Sequence, residues 1–244
     1  MFIGAGSRYE LPEQAGLSHF VEHLCFKGTE KRPTAKEISE TIDCVGGVLN
    51  GGTDKELTVY WVKVARPHFS TALDLLVDML RNSKFDPGEM ENERKVIIEE
   101  LKMSMDSPQS RVDTLIDEVI WPDQALGRDV AGTRETVSSF NREIMLDYLP
   151  RLYLPGNTVI SVTGDISHEE VVASVSKLMG DWPDGVPISW LSAENTQESP
   201  RLRSEQRKTE QVHFCLALRG LDNMHPDRFA LDLLNVILGE GMSS

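Results

Sequence analysis

Cysteine is scarce in this chain: three in 244 residues, Cys25, Cys44 and Cys215, odd in number, widely spaced and never in a CxxC pair. That excludes a disulfide-stapled scaffold and fits a reducing compartment. Basic charge is in deficit too, with 25 Lys and Arg against 39 Asp and Glu and a formal net charge of −14. A nucleic-acid partner would want a basic patch, so that class is set aside. The acidity suits a well-solvated surface first and basic substrates second. No apolar run approaches the roughly 18 residues of a membrane span, and no charged stretch leads into an apolar one as in a secretion signal. With 40% hydrophobic residues the chain nevertheless has enough apolar mass for a sizeable core.

The opening MFIGAGSRYE reads as the tail of a strand, so an upstream portion is expected to be missing. Next comes GLSHFVEHLCFKG, Gly16 to Gly28, which organises everything else. At about 100° per residue, His19 and His23 are i,i+4 neighbours on a helix and point the same way, with Glu22 beside them. Leu17, Phe20, Val21 and Leu24 form a second, core-facing stripe. Two imidazoles on one face can share a metal ion, although paired histidines on an amphipathic helix are more often surface or packed residues. A catalytic zinc site takes three protein ligands and leaves one position open, so a third ligand is expected downstream. Cys25, six positions beyond His19, lies far around the helix and reads as a buried thiol.

PTAKEISETIDCVGG reads as a helix through Ala35, Ile38, Ile42 and Val45. VLNGGTDKELTVYWVKV reads as strand, turn and strand, with Gly51-Gly52-Thr53-Asp54 as the turn. A further amphipathic helix spans His68 to Asn82. Asp86 and Pro87 then open a long helix whose buried stripe is expected through Met90, Val96, Ile97 and Leu101. Glu93 and Glu100 fall on or beside that stripe, and seven residues turn a helix by about 700°, leaving them within roughly 20° of each other. Two carboxylates on an apolar stripe need a cation or hydrogen-bond donors. Arg111 to Ile120 and Asn141 to Tyr153 are helical by period, NTVISVTGD (Asn157 to Asp165) reads as a buried strand, and SHEEVVASVSKLMG as a helix capped by Ser167.

After Asp181 the sequence turns rich in Pro, Ser and charge. The expected division is a metal-bearing domain over 1–185, a linker over 186–209 and, over 210–244, the truncated start of a second, similar domain. QVHFCLALRG and HPDRFALDLLNVILGEGMSS, a strand and a helix, repeat the order of Met1 to Gly28. Helices alternating with strands mean a layered fold of mixed class.

Taken together, HFVEHLCFKGT, GGVLNGGTDKELTVYW and NERKVIIEELKM resemble the pitrilysin family of zinc peptidases, whose HxxEH motif inverts the order of the common zincins. The family carries a further glutamate about 76 residues after the second histidine, and 76 residues lie between His23 and Glu100. The resemblance spans the chain, is nearest to bacterial processing-peptidase-like members, and implies an α+β fold: a two-layer sheet-and-helix domain of the pitrilysin/processing-peptidase type, with the beginning of a second. It implies Zn2+ held by His19, His23 and Glu100, with Glu22 as general base and Glu93 supporting the ligands from behind. Asn50 and Thr53 match an edge-strand motif that holds substrate in extended form, with Gly51-Gly52 where alanine is frequent in the family. The implied activity is zinc-dependent endopeptidase action on peptides or extended protein segments. The alternative is a non-catalytic or partner-dependent subunit of the same fold. Expected partners are a peptide substrate, a missing C-terminal domain and a homo- or heterodimeric companion, with no nucleic acid and no membrane; the expected compartment is the bacterial cytoplasm.

Overall fold

A four-stranded antiparallel sheet forms the floor of the structure, a computed structural model that describes residues 1–195 and 197–240. Strand β1 (Phe2–Ile3) lies between β3 (Thr58–Lys63) and β4 (Thr158–Val159), and β2 (Val48–Thr53) pairs with β3 from Val48↔Lys63 to Thr53↔Thr58. The order is β2-β3-β1-β4, which leaves β2 at an edge.

The glycines expected in the turn belong to β2 instead: Gly51 pairs with Tyr60 and Gly52 with Val59. The reversal comes later because the Asp54 carboxylate accepts from the backbone N–H groups of Glu56 and Leu57, closing a side-chain-stabilised turn. Asn157 to Asp165 does not form the buried strand expected of it. Only Thr158 and Val159 pair, and Val159 is exposed. A cavity of about 270 Å³, lined by Met1, Trp61, Val64, Leu76, Ile160 and Ile166, lies between the rest of this segment and β3. An apolar strand without a neighbour has no ladder to join.

Helix α1 (Leu17–Cys25) packs on β2 and β3, and buries Leu17, Phe20, Val21 and Leu24 completely or nearly so. Helix α2 (Ala35–Asp43) starts at a reciprocal capping box between Thr34 and Glu37. Helix α3 (Phe69–Asn82) covers β3. Helix α4 (Pro87–Asp106), capped by Asp86 on the N–H groups of Gly88 and Glu89, lies against α1. Helices α5 (Pro108–Ile120), α6 (Arg134–Ser139), α7 (Arg142–Leu152) and α8 (His168–Met179) complete the helical layer, giving the expected α+β class.

On α4 the buried positions are Met90, Glu93 and Ile97, while Val96 is exposed and Leu101 half-buried. The stripe is therefore rotated from the expected one. Positions 90, 93 and 97 follow the i, i+3, i+7 spacing, and a glutamate takes the middle of it because it finds two donors there.

The first compact unit runs from Met1 to Arg207. Residues 186–207 are tied along it through Ile188 and Arg151, Leu191 and Arg8, Glu194 and Gln124, and Arg111 and Glu205. The second unit begins at Lys208; it contains α9 (Arg228–Asn235) and a π-helical turn over Val236–Glu240. The strand expected at Gln211 to Gly220 does not form, because no partner strand stands beside it among the described residues. The end of the expected terminal helix, 241–244, lies outside the described residues.

Candidate metal centre

Helix α1 is held at its start by a group six residues upstream of its cap. Gly16, the N-cap, has φ of 94°, and a Cβ there would come within 2.5 Å of the Ala131 carbonyl oxygen, so only glycine fits. It has no side chain to cap the helix. The Glu10 carboxylate does so instead, accepting from the N–H groups of Gly16 at 2.9 Å and Ser18 at 2.7 Å and from the Ser18 hydroxyl at 2.6 Å. Burial pushes the Glu10 carboxyl upward, against the pull of those donors and of Arg128. Ser18 Oγ also meets the Tyr148 hydroxyl at 2.6 Å, so α1 is anchored one residue before His19.

The two imidazoles converge: His19 Nε2 and His23 Nε2 are 3.2 Å apart. Glu100 Oε2, on α4, lies 3.7 Å from His23 Nε2 and 4.0 Å from His19 Nε2, and donor atoms of all three residues fall within 4.8 Å of one another. Donors about 2.0–2.2 Å from a tetrahedral zinc would stand about 3.3–3.6 Å from each other, so the set has nearly the right span. Two imidazole lone pairs facing each other repel unless a cation or proton sits between them. Burial, reinforced by neighbouring His23, pulls His19 down to about 4, so that at neutral pH it offers a lone pair. Two nitrogens and one carboxylate oxygen suit zinc, and Glu100, with its side chain 44% exposed, leaves the outer side open.

Glu93 sits where Glu100 cannot reach. Its Oε2 lies 3.0 Å from His23 Nδ1 and its Oε1 2.7 Å from Lys27 Nζ, with its side chain only 6% exposed. His19 Nδ1, by contrast, is buried without a hydrogen-bond partner among the described residues. The neighbouring imidazoles are thus supported unequally.

Glu22 lies on the inner side of α1, toward β2. Burial raises its carboxyl, His23 and a hydrogen bond from the Thr53 side chain lower it, and the Glu100 charge raises it further. Gly51 explains how β2 can come so near: a Cβ on it would stand 2.9 Å from the Phe26 ring and 3.1 Å from Glu22 Oε1. Asn50 is exposed on the edge strand and its side-chain oxygen accepts from the N–H of Gly51. His19, Glu22, His23, Glu93, Glu100 and Thr53 are therefore brought together, while Asn50 faces outward next to them. Sequence reasoning missed Lys27 and Glu10. The signal for Lys27 was its position two residues past the end of α1, back within reach of α4; the signal for Glu10 was an acid just upstream of a helix whose own cap is a glycine.

A family model described as Insulinase (Peptidase family M16) matches residues 1–134, more than half of the chain. This chain belongs to peptidase family M16. A second model, Peptidase M16 inactive domain, matches residues 139–244. An uncharacterized zinc protease of Bacillus subtilis is 39% identical over 248 residues, aligned to 100% of this chain and 59% of its own length. The mitochondrial-processing peptidase subunit beta of Dictyostelium discoideum is 32% identical, aligned to 98% of this chain and 52% of its own. The chain thus spans little more than half the length of these M16 relatives. Among solved structures, a protease from Helicobacter pylori superposes with a TM-score of 0.74 at 21% identity, over 79% of this chain and 47% of that one, a likeness of fold. The periplasmic protease PqqL from Escherichia coli gives 0.72 at 25% identity, over 81% of this chain and 22% of that one.

Proposed function

We propose that this M16 chain is the metal-bearing part of a zinc-dependent endopeptidase that hydrolyses peptides or extended protein segments. The observation that carries the reading is the convergence of His19, His23 and Glu100 donors within 4.8 Å, with the buried Glu22 carboxylate beside them. His19 and His23 would hold the ion through Nε2 and Glu100 through a carboxylate oxygen. Bound there, zinc supplies a Lewis acid that polarises a carbonyl and lowers the pKa of water toward about 7.

The remaining work falls to the chain. Glu22, its proton affinity raised by burial, accepts the proton of the attacking water and delivers it to the departing amine. Thr53 holds that carboxylate from β2. The open edge of β2, with Asn50 exposed on it, offers backbone N–H and C=O groups to an extended peptide, which selects for conformation more than for side chains. Glu93 fixes the orientation of His23 through Nδ1. The acidic balance of the chain favours basic segments as substrates. In this proposal residues 1–185 are the metal-bearing domain, 186–209 a linker and 210–244 the start of a second domain.

Partial coverage of its relatives, one of which is named a subunit, supports a second reading in which hydrolysis needs a further domain or a companion chain. Metal content and peptide cleavage, measured on the wild type, Glu100→Ala and Glu22→Gln, separate the two. Zinc bound by the wild type and lost in Glu100→Ala supports the centre. Cleavage lost in Glu22→Gln with zinc retained supports the general base, and zinc binding without cleavage favours the partner-dependent form. A wild-type chain that takes up no zinc at micromolar concentration refutes the proposal.

A further inference from the structure

Of the two imidazoles at the metal centre, only His23 is gripped from behind among the described residues, and the grip runs beyond the carboxylate that makes it. Glu93 uses both oxygens: Oε2 on His23 Nδ1 at 3.0 Å and Oε1 on Lys27 Nζ at 2.7 Å. Lys27 lies just past the end of α1, where its backbone N–H still donates to the Leu24 carbonyl. Its stem turns back so that the ammonium meets α4, the helix that also carries Glu100. A carboxylate held at one oxygen can still swing about its terminal torsion, whereas one held at both cannot. We infer that Lys27 is a positioning residue for the metal centre, clamping Glu93 so that it holds the His23 ring with Nε2 aimed at the ion. This rests on the reading of His19, His23 and Glu100 as a zinc site.

Two effects of removing the ammonium oppose each other. Taking a positive charge from the neighbourhood of a dication site favours metal binding. The ammonium, however, pairs with the Glu93 oxygen that does not face the imidazole, and the Lys27 side chain is 29% exposed, so solvent screens the charge. Loss of the clamp acts directly on a ligand. A carboxylate with its side chain only 6% exposed and one oxygen left unpaired recovers hydration by rotating toward water, which draws Oε2 away from Nδ1. His19, whose Nδ1 has no partner among the described residues, cannot compensate. The clamp therefore outweighs the charge, and its removal weakens metal binding.

The test is a double-mutant cycle read as zinc affinity by chelator competition on the whole chain, using wild type, Lys27→Met, Glu93→Gln and the double variant, with Lys27→Arg as the conservative control. Lys27→Met weakens zinc binding about tenfold, the lower end for groups that orient metal ligands. On the Glu93→Gln background the same substitution changes affinity less than about twofold, and Lys27→Arg stays within about threefold of wild type. Far-ultraviolet circular dichroism checks each variant; should Lys27→Met not fold, Lys27→Gln runs the same cycle. An unchanged affinity in Lys27→Met, or an equal loss on both backgrounds, overturns the inference while leaving the zinc reading intact. A wild type that binds no zinc overturns both.

Discussion

His19 allows a direct quantitative prediction about the metal-free chain. Its ordinary pKa is 6.5 and burial beside His23 brings it to about 4 in the folded protein. Above pH 6.5 the ring is neutral whether the chain is folded or not and contributes no pH dependence. Between 6.5 and 4 the unfolded chain takes up a proton that the folded chain refuses, so stability falls with falling pH. Below 4 both states are protonated and the loss levels off. With the side chain only 18% exposed, solvent relieves little of this. Linkage then gives a loss of about 2 kcal/mol at pH 5 and about 3 kcal/mol at pH 4, relative to neutral pH. Carboxylates titrate in the same range, so the quantity to compare is the difference from His19→Gln. Urea unfolding of chelator-treated wild type and His19→Gln at pH 7, 5 and 4 measures it. The wild type is expected to lose about 2 kcal/mol more than the variant between pH 7 and 5. Parallel losses in the two proteins would refute the claim that this imidazole is held neutral by burial.

Gly16→Ala is expected to destabilise by about 2–3 kcal/mol and to weaken zinc binding, because its Cβ would meet the Ala131 carbonyl oxygen at 2.5 Å with φ at 94°; thermal melts and chelator competition check both. Ile97→Ala, at a fully buried site midway between Glu93 and Glu100, should cost about 2–5 kcal/mol, whereas Val96→Ala at an exposed one stays within about 0.5 kcal/mol; equal effects in urea unfolding would contradict the observed face of α4. Thr53→Val removes a hydrogen bond that lowers the Glu22 carboxyl, so the acidic limb of the pH profile of kcat/KM for peptide cleavage should move to higher pH. Glu22→Gln should retain zinc and lower peptide cleavage by at least about 100-fold, as read from zinc content and initial rates.

The helices were legible because their signals are local. Asp86 with Pro87 and Ser167 each mark a start, and apolar spacing marks the faces of α1 and α3. Strands were less legible, since pairing depends on a neighbour that periodicity does not specify. Gly51-Gly52 carry a turn signature yet lie in β2, because Asp54 makes the better turn; Phe26 and Glu22 occupy the space a side chain on Gly51 would need. Asn157 to Asp165 and Gln211 to Gly220 have strand composition, yet apart from Thr158 and Val159 they join no strand ladder among the described residues.

For the site, the sequence by itself determined the donor types and their spacing along each helix. His19 and His23 had to share a face, and Glu93 had to sit two turns from Glu100, because the helical repeat fixes those angles. Only the tertiary structure decided which face of α4 turns inward, and so that Glu93 is buried against His23 while Glu100 stays half-open at the rim. It also decided that Glu10 and Lys27 hold the two ends of α1 in place. Such roles depend on which elements pack side by side, a matter of burying apolar stripes against one another rather than of any residue's neighbours in sequence.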